Sequence, residues 1–106
     1  MADAAQKWLV ETEWLASHLD TPALVILDGS MHLPTAKRDA KAEYLAGHIP
    51  GALFFDIDEI ADEKSPLPHM LPSATKFASR MKKMGVGDGM HVVAYDSEGL
   101  YSAART

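Results

Sequence analysis

Asp58 and His69 are the two residues of this sequence best suited to moving a proton. A carboxylate bonded to one imidazole nitrogen fixes the ring's tautomer and leaves the other nitrogen to take a proton from a hydroxyl. Asp58 follows the apolar run GALFFD (51–56), and His69 lies in the proline-rich stretch SPLPHMLP (65–72), so folding can bring the two together. On spacing alone, both also read as ordinary surface residues of a polar loop. Asp56, Glu59, Asp62 and Glu63 share the segment, and with Asp58 and His69 they have the donor types of a hard-metal site. Their spacing follows no metal-ligand pattern, and a solvated acidic loop explains them better. No metal is expected.

The second place of chemical interest is YDSEGLYSAART (95–106). It follows the apolar stretch HVVA (91–94), so a strand should run into a short loop and then into a helix start. Such a corner turns several backbone N–H groups inward and favours an anion. The chain has no cysteine, so no thiolate can be that anion. Asp96, first in the loop, can fill the cradle with its own carboxylate or simply cap the next helix. Tyr101 can face substrate or pack as a core aromatic, and Arg105 is a candidate for an anionic ligand. Ser97 and Ser102 lie nearby without a sequence-adjacent base, so neither is read as a nucleophile.

Four apolar runs and the helices between them must position these residues. KWLV (7–10), ALVILD (23–28), GALFFD (51–56) and HVVAYD (91–96) read as strands. TEWLASHL (12–19) puts Trp14, Leu15, His18 and Leu19 on one helical face, with Thr12 as N-cap, and DAKAEYLAG (39–47) is a short helix ended by Gly47. Residues 57–72 are too broken by proline for regular structure. Ser73 caps the clearest helix, where Phe77, Met81 and Met84 recur on one face before Gly85. Trp8, Trp14, Phe54, Phe55 and the methionines of that helix read as core. Helices alternating with apolar strands predict an α/β domain around a mostly parallel sheet, whose ligands gather beyond the strands' carboxyl ends. Asp28, Asp56 and Asp96 stand at those ends.

With 106 residues the chain suffices for one domain with its own core. A net charge of −5 spread along the sequence argues against nucleic acid or an anionic membrane as partner. No apolar run approaches the roughly 20 residues of a membrane helix. MADAAQKW has neither the basic start nor the apolar core of a secretion signal. The lack of cysteine fits a cytoplasmic protein.

GHIPGALFFDID (47–58) resembles the signature segment of the rhodanese superfamily. LDGSMHLP (27–34), SPLPHMLPS (65–73) and YDSEGLYSAAR (95–105) follow in family order, so the resemblance covers roughly Trp8 to Arg105. The match is most similar to the N-terminal half of two-domain sulfurtransferases of the mercaptopyruvate type. That resemblance implies a rhodanese-like, mostly parallel sheet flanked by helices and truncated before its last strand. It implies residues 1–6 as a flexible N-terminus and 7–106 as an incomplete, cysteine-free N-terminal domain. A fifth strand would lie between KWLV and HVVAYD, so KWLV should be poorly anchored.

By the same resemblance, the working cysteine belongs to a C-terminal rhodanese-like domain of the same protein. There it would take sulfur from 3-mercaptopyruvate or thiosulfate as a persulfide and pass it to a thiol or cyanide, with no cofactor. Asp96 would stand where the cysteine is missing, and Asp58 and His69 would support a serine of the cysteine loop. His48 would be structural, its ring bonded into the turn that feeds the strand. Two alternatives remain: a catalytically dead rhodanese-like module for binding or regulation, and a small metal-dependent hydrolase using the acidic loop and His69.

Overall fold

The computed structural model describes residues 9–99 and 102–106. Its order is α1 (Thr12–Ser17), β1 (Leu24–Asp28), a 3-10 turn (Pro34–Ala36), α2 (Ala40–Ala46), β2 (Leu53–Phe54), α3 (Ala74–Met84), β3 (His91–Tyr95) and a second 3-10 turn (Ala103–Arg105). The three strands form one parallel sheet in the order β2–β1–β3. β1 pairs with β3 from Leu24 opposite His91 to Asp28 opposite Tyr95, and with β2 at Leu27–Leu53 and Asp28–Phe54. Parallel pairing needs a crossover between strands, and α2 and α3 lie in those connections. The expected parallel α/β sheet is thus present, open at both edges among the described residues.

β1 is the central strand because its side chains feed both apolar layers. Leu27 joins Phe55, Ile57, Ile60 and Met81 on one side. Ile26 joins Leu15, Ala52 and Val93 on the other. α3 docks through Met81, and its ends are well determined. The Ser73 hydroxyl accepts from the Lys76 N–H, and Gly85 adopts φ +80°. The Gly85 and Val86 N–H groups then bond Lys82 O and Met81 O, a Schellman closure with Val86 folded back onto the core.

Several local expectations are corrected. Leu9 and Val10 form no strand and are exposed, while Lys7 and Trp8 lie outside the described residues. Thr12 is the first residue of α1, and Glu11 holds the cap position without a side-chain bond. Gly47 ends α2 in extended backbone, so the stop there does not depend on a left-handed glycine. β2 is only two residues long: Gly51 turns at φ +80°, and Phe55 leaves the strand to fill the core, its N–H still bonding Asp28 O. Leu19, on the predicted face of α1, is exposed. Phe77 is 40% exposed although it shares the periodicity of Met81 and Met84, which pack in the core cluster that it does not join.

Residues 57–73 contain no helix or strand, as expected, yet they are firmly tied down. Ile57, Ile60 and Ala61 are buried. Lys76 Nζ donates to Ala61 O at 2.8 Å, Arg80 pairs with Glu59, and the Asp62 N–H bonds Met70 O at 2.9 Å. The contrast along α3 gives a direct stability test. Met81→Ala should cost about 2–5 kcal/mol in urea unfolding, and Phe77→Ala under about 1 kcal/mol.

Candidate functional site

The loops that leave β1, β2 and β3 meet at the carboxyl end of the sheet, and each begins on an aspartate that organises backbone. Asp28 is buried and accepts from the Ser30 N–H. Asp56 Oδ1 accepts from the N–H groups of Asp58 and Glu59, which turns the chain directly after β2. Asp96 does the most. Its Oδ1 accepts from the Glu98 N–H at 2.8 Å, and its Oδ2 from the N–H groups of Ser102 and Ala103 at 2.7 Å each. The carboxylate therefore occupies the concavity of inward-facing amides that such a corner creates. Ser102 is buried and donates its hydroxyl to Gly29 O at 2.7 Å, which locks the corner to the loop after β1. A hydroxyl so committed is no nucleophile.

Asp58 and His69 do come together. His69 Nδ1 lies 3.0 Å from Asp58 Oδ1. The carboxylate sits off the line of the ring N–H, so Nδ1, sealed from solvent, makes no hydrogen bond. Proximity is thus present and alignment is not. The Asp58 side chain is largely exposed. With Nδ1 turned toward Asp58, Nε2 is the ring nitrogen that Asp58 does not engage.

Two features escaped the sequence reading. One is the set of backbone bonds made by Arg105: its Nη2 donates to His69 O at 3.0 Å and Met70 O at 3.4 Å, and its Nε to His69 O at 3.3 Å. The other is a charged clasp. Arg38 grips Glu43 through two nitrogens at 2.9 and 3.0 Å and also pairs with Glu98, while His32 Nε2 meets Glu43 at 2.9 Å. The Arg38 bond, then that of His32, holds the Glu43 carboxyl below its ordinary range, and the two carboxylates push Arg38 up. The five-residue interval from Arg38 to Glu43 matches no helical pairing distance, so no sequence rule signals the clasp.

The clasp ties together the loops after β1 and β3 and the start of α2, beside a cavity of about 410 Å³ bordered by Asp28, Tyr44, His48, Tyr95 and Ser97. Burial, and secondarily the nearby Asp28, raises the Tyr95 hydroxyl above its ordinary value, although the Ile49 N–H bond opposes this. His48 is held by a bond from its ring to Tyr44 O at 2.7 Å and by stacking on Tyr44, back toward α2 and away from the expected turn. Tyr101 lies outside the described residues. The acidic loop residues serve the backbone or pair with cations, and among the described residues no three His, Asp or Glu gather as metal ligands. No helix among the described residues is long and apolar enough to cross a membrane.

An open parallel sheet whose strand-end loops meet at an amide-lined corner is the frame of a rhodanese-like domain, and the chain belongs to that family: residues 11–106 match its model. Over 92% of its length it is 48% identical to 3-mercaptopyruvate sulfurtransferase of Escherichia coli K12 and 50% identical to that of Rattus norvegicus, covering 35% of each. The Arabidopsis thaliana thiosulfate/3-mercaptopyruvate sulfurtransferase 1 is 45% identical, with 26% of it covered. The fold matches the crystal structure of SseA from Escherichia coli with a TM-score of 0.86 at 47% identity, over 92% of this chain and 38% of that one. The chain thus spans about a third of the length of these relatives. If the Asp96 carboxylate holds the corner, Asp96→Ala should destabilise the protein by about 1.5–3 kcal/mol in denaturant melts. Asp96→Asn, which keeps one acceptor, should cost less.

Proposed function

We propose that residues 7–106 form the cysteine-free N-terminal domain of a two-domain sulfurtransferase; residues 1–6 lie outside the described residues. The protein takes sulfur from 3-mercaptopyruvate, or from thiosulfate, onto a cysteine of a C-terminal rhodanese-like domain and passes it to a thiol or cyanide. One observation carries this reading. Asp96 lies in the amide cradle that would otherwise receive a thiolate, so this corner is occupied and the nucleophile has to come from elsewhere. The names of the sulfurtransferases to which the chain is similar support the reaction class.

With 3-mercaptopyruvate, the thiolate of the second domain attacks the substrate sulfur and the carbon–sulfur bond breaks. A persulfide and the enolate of pyruvate result, and the enolate takes up a proton. Asp58 and His69 contribute the proton movement: Asp58 orients the ring through Nδ1, and Nε2 exchanges a proton with a serine hydroxyl of the cysteine loop. Tyr101, which lies outside the described residues, is the candidate contact to substrate. A reducing, cytoplasmic setting suits this chemistry, because oxidising compartments convert thiols to disulfides.

Sulfur transfer to cyanide from both donors, measured for the full-length protein and for residues 1–106 alone, tests the reading. The long form should be active, more so with 3-mercaptopyruvate, and the short form inactive. Silence from both would replace this reading with a catalytically dead module for protein binding.

A further inference from the structure

His69 is held in a conformation that its own chain does not favour. Its φ of +59° is left-handed, which brings Cβ too close to the following carbonyl oxygen. It belongs to no helix or strand, so its backbone has to be fixed from outside. Among the described residues, the contact reaching the His69 carbonyl is the guanidinium of Arg105, through Nε and Nη2, with Nη2 extending to Met70 O. A planar cationic donor on two successive carbonyls sets the orientation of the peptide between them, and charged donors make the stronger bonds.

Arg105 is itself positioned by the corner. Asp96 Oδ2 binds the N–H groups of Ser102 and Ala103, and the Arg105 N–H closes onto Ser102 O at 3.0 Å, forming the short turn Ala103–Arg105. Ser102 Oγ anchors that turn to Gly29 O. A continuous set of bonds thus runs from the carboxylate in the cysteine-free corner to the backbone of the histidine.

We propose that Arg105 is the positioning residue of His69, and that the Asp96-filled corner exists in this domain to hold Arg105 in place. The proposal rests on the reading that His69 serves sulfur transfer. It gives the corner a task that a mere vestige would not have: the carboxylate fixes the turn, and the turn aims the proton-transfer ring.

The test uses the full-length protein with Arg105→Ala, Arg105→Lys and His69→Ala. Two quantities are read: kcat and KM for 3-mercaptopyruvate, and the NMR signals of the His69 ring, assigned by their loss in His69→Ala. Arg105→Ala should lower kcat about tenfold or more with KM within about twofold, and should displace the His69 signals. Millimolar guanidinium should recover part of the rate. Arg105→Lys, which keeps a charge and a donor, should fall between wild type and alanine on both readouts, and it serves if the alanine variant does not fold. Full activity in His69→Ala would overturn the underlying reading. An impaired His69→Ala beside Arg105 variants with wild-type kcat, or with unmoved His69 signals, would overturn only the role of Arg105.

Discussion

The Asp96 carboxylate among the backbone amides of the loop after β3 is the interaction on which the carboxyl end of the sheet depends. A loop that turns a parallel strand toward a helix directs amide hydrogens at one point, which calls for an acceptor there and favours an anion. Asp96 supplies it from within, with bonds of 2.7–2.8 Å to Glu98, Ser102 and Ala103. Two consequences follow. The corner becomes rigid enough to carry Arg105, and its anion site is taken. On the proposed reading, a corner that could have presented a thiolate serves as a support instead.

From that support the connections spread sideways. Ser102 ties the corner to Gly29 after β1, Arg105 ties it to His69 and Met70 after β2, and Glu98 ties it through Arg38 to Glu43 of α2. Apart from α2, these segments lack strand or helix hydrogen bonds over much of their length. Side chains take over what the sheet does for β1, and this keeps Asp58 within reach of His69 although neither sits on a regular element.

What could be read in the sequence was mostly local. The run ALVILD announced β1, and Ser73, the recurrence of Met81 and Met84, and Gly85 fixed α3 to the residue. Asp96 could be placed because the amides it serves lie within seven residues of it. Features that depend on three-dimensional neighbours could not. Phe77 obeys the same periodicity as Met81 and is half exposed, because periodicity says which face turns inward and not which residues of that face join the core cluster. GALFFD shrank to Leu53–Phe54 because Phe55 is better used filling the core than continuing a ladder. KWLV, read as a strand, leaves Leu9 and Val10 exposed and unpaired with the sheet. Arg105 and His69 are 36 residues apart, and their bond runs from a side chain to a carbonyl, which no residue pattern encodes. The approach of Asp58 to His69 was foreseen from family order and chemistry; its imperfect alignment was not.

On the proposed reading, this domain contributes to catalysis at the step in which sulfur is loaded onto the cysteine. The most direct measurement is therefore a single-turnover rate of persulfide formation from 3-mercaptopyruvate, followed by mass spectrometry in the full-length protein and in its Asp58→Asn variant. The Asp58 side chain is largely exposed and asparagine is nearly its isostere, so the comparison reads the charge of the carboxylate. Loading slowed about tenfold or more, on a cysteine outside residues 1–106, is the expected result. Loading at the wild-type rate in the variant would contradict a working role for this half of the protein.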